Sequence, residues 1–282
     1  MPSEADETPP DAPGKPTASD HHSAVTARVT HLMTRWPEDD PGRQTVVAQL
    51  LAELPAHPHV LELVTDELLC DAVCTVAYQR RGFLPETEAG LVHAVTERLL
   101  DPPASGSEPV LPLSARRFLA QALALPILTT GANRLPRAAA REVIASRLPY
   151  LVGLPSASAG TYLDQLTQET RIVRPLPDGA VTLAHPKVVS HLAAHACLAE
   201  APAALDVLLA CSHTPEGADA VVFAAGHART HESAFLLLGL LDRSDMSPHR
   251  RAELTRRALG QVATVAPDVR LEVLVRIAEA SP

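Results

Sequence analysis

Residues 171–185 read RIVRPLPDGAVTLAH. Arg171-Ile172-Val173-Arg174-Pro175-Leu176 and Ala180-Val181-Thr182-Leu183 carry apolar residues in alternation, and Pro177-Asp178-Gly179 lies between them. Asp-Gly supplies the backbone conformation of a tight reversal, so the stretch predicts a β-hairpin. Everywhere else the apolar residues recur at helical spacing of three and four. A single hairpin set among helices predicts a mainly all-α fold.

Working outward, three helical segments precede the hairpin. The first carries Phe118, Leu119, Ala122 and Leu123, with Pro126 near its end. The second opens at Pro136 and carries Val143, Ile144 and Leu148; the third holds Tyr162, Leu163 and Leu166. Three helices and then a two-stranded wing describe a winged helix. A further helix over 187–199 leaves the wing with Val188, Leu192 and Ala196 on one side. Further upstream, Leu61, Val64, Leu68, Ala72 and Val76 form one ridge of a long helix, and Leu69, Val73 and Ala77 form the next. Gly82 then stands where a C′ glycine ends a helix.

The remainder of the chain sorts by composition. Residues 1–22 are Pro, Asp, Glu and Ser with little to bury and predict a disordered tail. Residues 24–104 predict a helical bundle, with a linker by composition at 101–110. The winged-helix unit spans 108–199, and 200–282 reads as a solenoid-like array of short antiparallel helices. Within that array, Ser247-Pro248 is an N-cap followed by a first-position proline.

The 282 residues are 46% hydrophobic but only 3% aromatic, so Leu, Val and Ala must build the core. A net charge of −9 argues against a nucleic-acid partner, which calls for a basic face, and against an anionic membrane surface. No apolar run approaches the roughly 20 residues of a membrane span, and the acidic N-terminus lacks a signal peptide's apolar stretch. A cytoplasmic location is expected. The four cysteines, Cys70, Cys74, Cys197 and Cys211, fit it as reduced thiols. Cys70 and Cys74, one turn apart at the margin of an apolar face, read as half-buried thiols in preference to half of a metal site.

The order of these pieces resembles the C-terminal half of NACHT-type signalling ATPases, with actinobacterial members most similar. LELVTDELLCDAVCTVAYQRRGFLPET (61–87) is similar to that family's first helical domain. TYLDQLTQETRIVRPLPDGAVTLAHPKVVSHLAA (161–194) is similar to the end of its winged helix, and VVFAAGHARTHESAFLLLGLLDR (221–243) to the opening of its second helical domain. The likeness covers roughly residues 24–282. It implies a regulatory half of a machine whose other half holds ATP. The departures matter as much. A Walker loop needs backbone N–H groups cradling phosphate and a lysine on its oxygens, and Gly14-Lys15 is followed by Pro16 with no helix to open. The family's nucleotide-contacting Asn-Pro reads Asp66-Glu67, and two carboxylates repel a phosphate. Its Phe-Gln-Glu-Tyr reads Val188-Val189-Ser190-His191. His185 matches the family's winged-helix histidine, which implies a residual phosphate contact; the plainer reading is a histidine that ends a strand and orders the wing.

Other constellations are weaker. His191 and His195 stand four apart, but a zinc-protease signature needs a glutamate where Leu192 stands. A zinc site from His185, His191 and His195 is conceivable, and His227 and His231 repeat the spacing, but thirteen histidines make such spacings common by chance. No cysteine sits in a nucleophile's context. The helix that would enter a DNA groove, about 160–170, carries Asp164 and Glu169 and no Lys or Arg. Arg80-Arg81 and Arg116-Arg117 read as solvated faces, and Arg250, Arg251, Arg256 and Arg257 are the best candidate for a partner-docking patch.

The expectation is a non-catalytic helical interaction or regulatory module with a protein partner, an ATPase subunit supplied in trans being one form of it. No catalytic residues, metal ligands or cofactors are expected, and the oligomeric state is undetermined. The alternatives are a winged-helix transcriptional regulator and, after it, a metal-dependent hydrolase.

Overall fold

The computed structural model describes residues 18–34, 41–54, 57–101, 111–154, 157–200 and 203–280. Among the described residues the regular structure is fourteen α-helices, a short 3-10 helix (Leu148–Tyr150) and one two-stranded antiparallel sheet, so the chain is all-α. It divides into two compact units, Met1–Gly82 and Phe83–Pro282. Among the described residues no helix is long and apolar enough to cross a membrane. Residues 1–17 and 102–110, which hold most of the expected tail and linker, lie outside the described residues.

The first unit holds α1 (Ala18–Met33), α2 (Pro41–Glu53), α3 (Pro58–Leu63) and α4 (Glu67–Gln79). Helix α1 therefore starts inside the stretch read as tail. Val25, Val29, Leu50, Leu54, Leu69 and Val73 make its buried core. The long helix expected through Leu61–Val76 is instead two helices. Asp66 breaks it: its carboxylate accepts the Leu69 N–H at 3.0 Å and starts α4 afresh. Arg28 seals the break from the other side by donating to the carbonyls of Val64 and Thr65. The end of α4 also differs from expectation. Arg81, not Gly82, is the first residue in the left-handed region (φ 56°), and Gly82 follows at φ 95°. The Gly82 N–H reaches the Ala77 carbonyl at 2.7 Å and the Arg81 N–H reaches Tyr78 at 3.1 Å, which is a Schellman closure.

The second unit begins with α5 (Glu88–Leu100), followed by α6 (Leu113–Thr130), α7 (Arg137–Arg147) and α8 (Ala159–Glu169). The hairpin follows as β1 (Val173–Pro175) and β2 (Val181–Leu183), paired Val173 to Leu183 and Pro175 to Val181. Gly179 turns it at φ 80°, and the Asp178 side chain accepts the Ala180 N–H at 3.1 Å. Leu135, just before α7, exchanges two backbone hydrogen bonds with Val181 (2.8 and 2.9 Å), adding a one-residue third strand. Helix, bridge, two helices, hairpin is the element order of a winged helix.

Helix α9 (Pro186–Ala199) leaves the hairpin and forms the centre of this unit. Ten of its fourteen residues are buried, because α6 and α11 (Pro215–His227) pack on different sides of it. A helix apolar nearly all round belongs in a core. Helix α10 (Ala203–Cys211) packs on α9 and α11, α12 (Thr230–Leu241) and α13 (Pro248–Gln261) pack on α11 and on each other, and α14 (Pro267–Ala280) packs on α12 and α13. Ser247 caps α13 through the Arg250 N–H, as its sequence predicts. Helix α14 buries Val273 and Ile277 but leaves Leu271 65%, Leu274 47% and Val275 48% exposed.

Candidate metal centre

Three helices of the second unit meet pairwise: α5 on α9, α5 on α11 and α9 on α11. Each is fixed at its start by a side-chain cap. Thr87 accepts the Gly90 N–H at the head of α5, His185 Nδ1 accepts the Lys187 N–H at the head of α9, and Thr214 accepts the Gly217 N–H at the head of α11. Close approach of α11 to α5 requires Gly226, where a Cβ would lie 2.7 Å from the Ala89 Cβ. The caps and this contact fix the register of four imidazoles: His93 on α5, His191 and His195 one turn apart on α9, and His227 as the last residue of α11.

One ring nitrogen from each of these four histidines lies within 4.8 Å of the others. The His93 Nδ1 to His191 Nε2 separation is 3.3 Å. His191 is buried, and the other three are partly so. Three ring nitrogens, His191 Nδ1, His195 Nε2 and His227 Nε2, are buried with no hydrogen-bond partner. An unsatisfied buried polar atom costs about 1–3 kcal/mol, so three in one cluster call for an explanation.

All the resolved shifts in the cluster favour neutral rings. Burial pushes His191 well below the usual histidine range, helped by its three neighbours. Burial, His227, His93 and Arg117 together bring His195 down to about 4. Burial and His93 lower His227 against an opposing backbone hydrogen bond to Ala89. Neutral imidazole with an open lone pair is the form that ligates a transition metal. The Phe223 ring stands edge-on to His191 at 6.0 Å and helps close the floor.

Toward the N-terminal ends of α5 and α9, the same helices carry a group of four charges. Lys187 Nζ lies 2.5 Å from Glu88 Oε1 and 3.5 Å from Asp219 Oδ2, while Arg257 of α13 lies 2.8 Å from Asp219 Oδ1. Two positive and two negative side chains cancel, so the group pins α5, α9, α11 and α13 without adding net charge.

The structure places the sequence candidates as follows. His191 and His195 join the cluster, and so does His227. His185 caps α9 and is outside the group, so the trio His185, His191 and His195 is not assembled. His231 is 77% exposed beside Glu232. His93 has no histidine at helical spacing, and only the tertiary fold brings it in. Of the arginine patch, Arg250 donates to the His213 carbonyl at 2.6 Å and Arg251 to the Leu241 and Arg243 carbonyls at 3.2 and 2.8 Å. Arg256 pairs with Glu253, and Arg257 with Asp219. Arg116, read as solvated, is buried and closes the end of α5 by donating to the Leu100 carbonyl; Arg117 pairs with Glu97. Cys70, Cys74 and Cys197 are fully buried, deeper than the half-buried thiols expected of the first two, and burial pushes Cys197 up to about 12.

No known family model matches the chain, and no curated protein is similar enough to count as a relative.

Proposed function

We propose that this chain is a non-catalytic helical module that holds a transition-metal ion between α5, α9 and α11 and offers its helical surface to a protein partner. The convergence of four imidazoles, with burial holding His191, His195 and His227 neutral and with the Nε2 atoms of His195 and His227 buried and unpartnered, carries the metal-binding part of the reading. Nitrogen donors without carboxylates suit zinc, copper, nickel or cobalt and not calcium or magnesium.

The interaction part is supported by the half-exposed apolar strip Leu271, Leu274 and Val275 along α14. The resemblance to the C-terminal half of NACHT ATPases supports a regulatory role, in the cytoplasm, with any ATPase core supplied by another subunit. The net charge of −9 and the absence of Lys and Arg from α8 weigh against DNA as the partner.

Metal analysis of the purified full chain tests the first part. One equivalent of a first-row transition metal per chain, retained through gel filtration and lost when His191 and His195 are both replaced by Gln, is the expected result. A metal-stripped chain that takes up none of Zn(II), Co(II), Ni(II) or copper overturns it.

A further inference from the structure

The four rings also record a coordination geometry. Their centres are 4.5 Å apart for His191–His195 and His195–His227, and 5.3 to 5.6 Å apart for the other four pairs. A metal–nitrogen bond of about 2.0–2.1 Å puts each ring centre roughly 3.2 Å from the ion. Four such rings at tetrahedral corners are then about 5.2 Å apart in every pair, with ligand nitrogens about 3.3 Å apart. A square plane holds its two opposite pairs about 6.4 Å apart. No pair here reaches that spacing, and the six values bracket the tetrahedral one. The 3.3 Å between His93 Nδ1 and His191 Nε2 equals a tetrahedral edge.

We infer that the site takes one Zn(II)-class ion in a closed tetrahedral cage of His93, His191, His195 and His227, and that the ion fastens α5 to α9 and α11. The inference rests on the metal-binding reading above and adds the geometry, the ion class and the role. Four protein ligands fill a tetrahedral shell and leave no position for water or substrate, which is the signature of a structural and not a catalytic zinc site. His191, at 1% exposure, closes the inner side of the shell, while His93, His195 and His227 are partly buried. Ligands from three helices make the ion a cross-link: His93 ties in a helix about a hundred residues earlier in the chain than the pair on α9. Tetragonal Cu(II) and Ni(II) are stronger ligand-seekers or comparable in affinity, but they lose their preferred plane here.

Cobalt substitution of the full chain decides the matter. The metal-stripped protein is titrated with Co(II) and then with Zn(II). Expected are the intense visible bands of four-coordinate cobalt, saturation at one equivalent, and loss of the bands when zinc displaces the cobalt. X-ray absorption on the zinc form is expected to show a four-coordinate first shell at about 2.0–2.1 Å with the multiple scattering of four imidazoles and no fifth or sixth ligand. His93→Gln removes the tie to α5 and is expected to weaken zinc at least about a hundredfold, beyond the usual loss from an outer-shell change. His227→Gln, at a helix end, gives the same readout should His93→Gln fail to fold. Cobalt bound with only the faint bands of a six-coordinate ion, or copper and nickel displacing zinc with tetragonal spectra, overturns the tetrahedral cage and leaves the metal-binding reading standing. A chain that binds none of these ions overturns both.

Discussion

Acidifying the metal-free protein should unfold it, and His195 sets much of the size of the effect. In the unfolded chain its ring titrates near the ordinary 6.5, while the folded environment holds it to about 4. A depressed histidine pKa means that the unfolded state binds the proton first. Its contribution to stability is therefore complete above about pH 6.5, fades as the pH falls, and is gone below about pH 4. The full span corresponds to about 3 kcal/mol, and the step from about pH 7.5 to about pH 5 removes roughly 2 kcal/mol of it, less whatever solvent at the partly exposed edge screens away. Burial lowers His191 and His227 in the same direction and adds to the loss. Urea unfolding of the chelator-treated chain, followed by circular dichroism at a series of pH values, measures this directly. The slope should diminish in His195→Gln, whose side chain does not titrate. Stability that stays level from about pH 7.5 to about pH 5, or an acid loss that His195→Gln leaves untouched, would refute the argument that the folded chain holds His195 neutral.

Three further outcomes follow. Zinc at about a hundred times its dissociation constant should stabilise the chain by about 2.7 kcal/mol and raise its melting temperature by several degrees, read by scanning calorimetry with and without metal. Gly226→Ala should cost about 1–3 kcal/mol in urea melts and weaken zinc as well, because its methyl meets the Ala89 Cβ at 2.7 Å beside His227; Gly260→Ala, which meets nothing within 4 Å on α13, should leave zinc unaffected and stabilise slightly. Lys187→Met removes one of the two cations of the group, leaving Arg257 to hold Asp219 and Glu88, and should cost about 1–3 kcal/mol, with part of the loss recovered in the double variant with Glu88→Gln.

The fold was legible where local chemistry decides it. Asp178-Gly179 gives the hairpin its turn and Ser247-Pro248 gives α13 its start, and both act within a few residues. The apolar ridge through Leu61–Val76 misled because its spacing continues unbroken across Asp66, whereas the cap that ends one helix and starts the next depends on a carboxylate reaching Leu69. Arg116 misled for the opposite reason: its charge suggests water, but the unpaired carbonyls at the end of α5 recruit it inward. The candidate site was half legible. His191 and His195 share a helix face by spacing, and His227 ends an apolar helix. His93 carries no such mark, since its partners are supplied by helices about a hundred residues away and packing alone selects it. Similarly, Leu274 belongs to the apolar stripe of α14 by periodicity, yet only Val273 and Ile277 find neighbours to cover them.

His227 is the final residue of α11, and helix ends open far more often than helix middles. The cage thus has one wall on a hinge. Ion escape should be timed by the unwinding of that last turn, so extraction by a strong chelator should proceed at a rate that stops rising once chelator is plentiful. Lengthening or stiffening the segment after Ala228 would then prolong retention of the ion without touching any of its four donors.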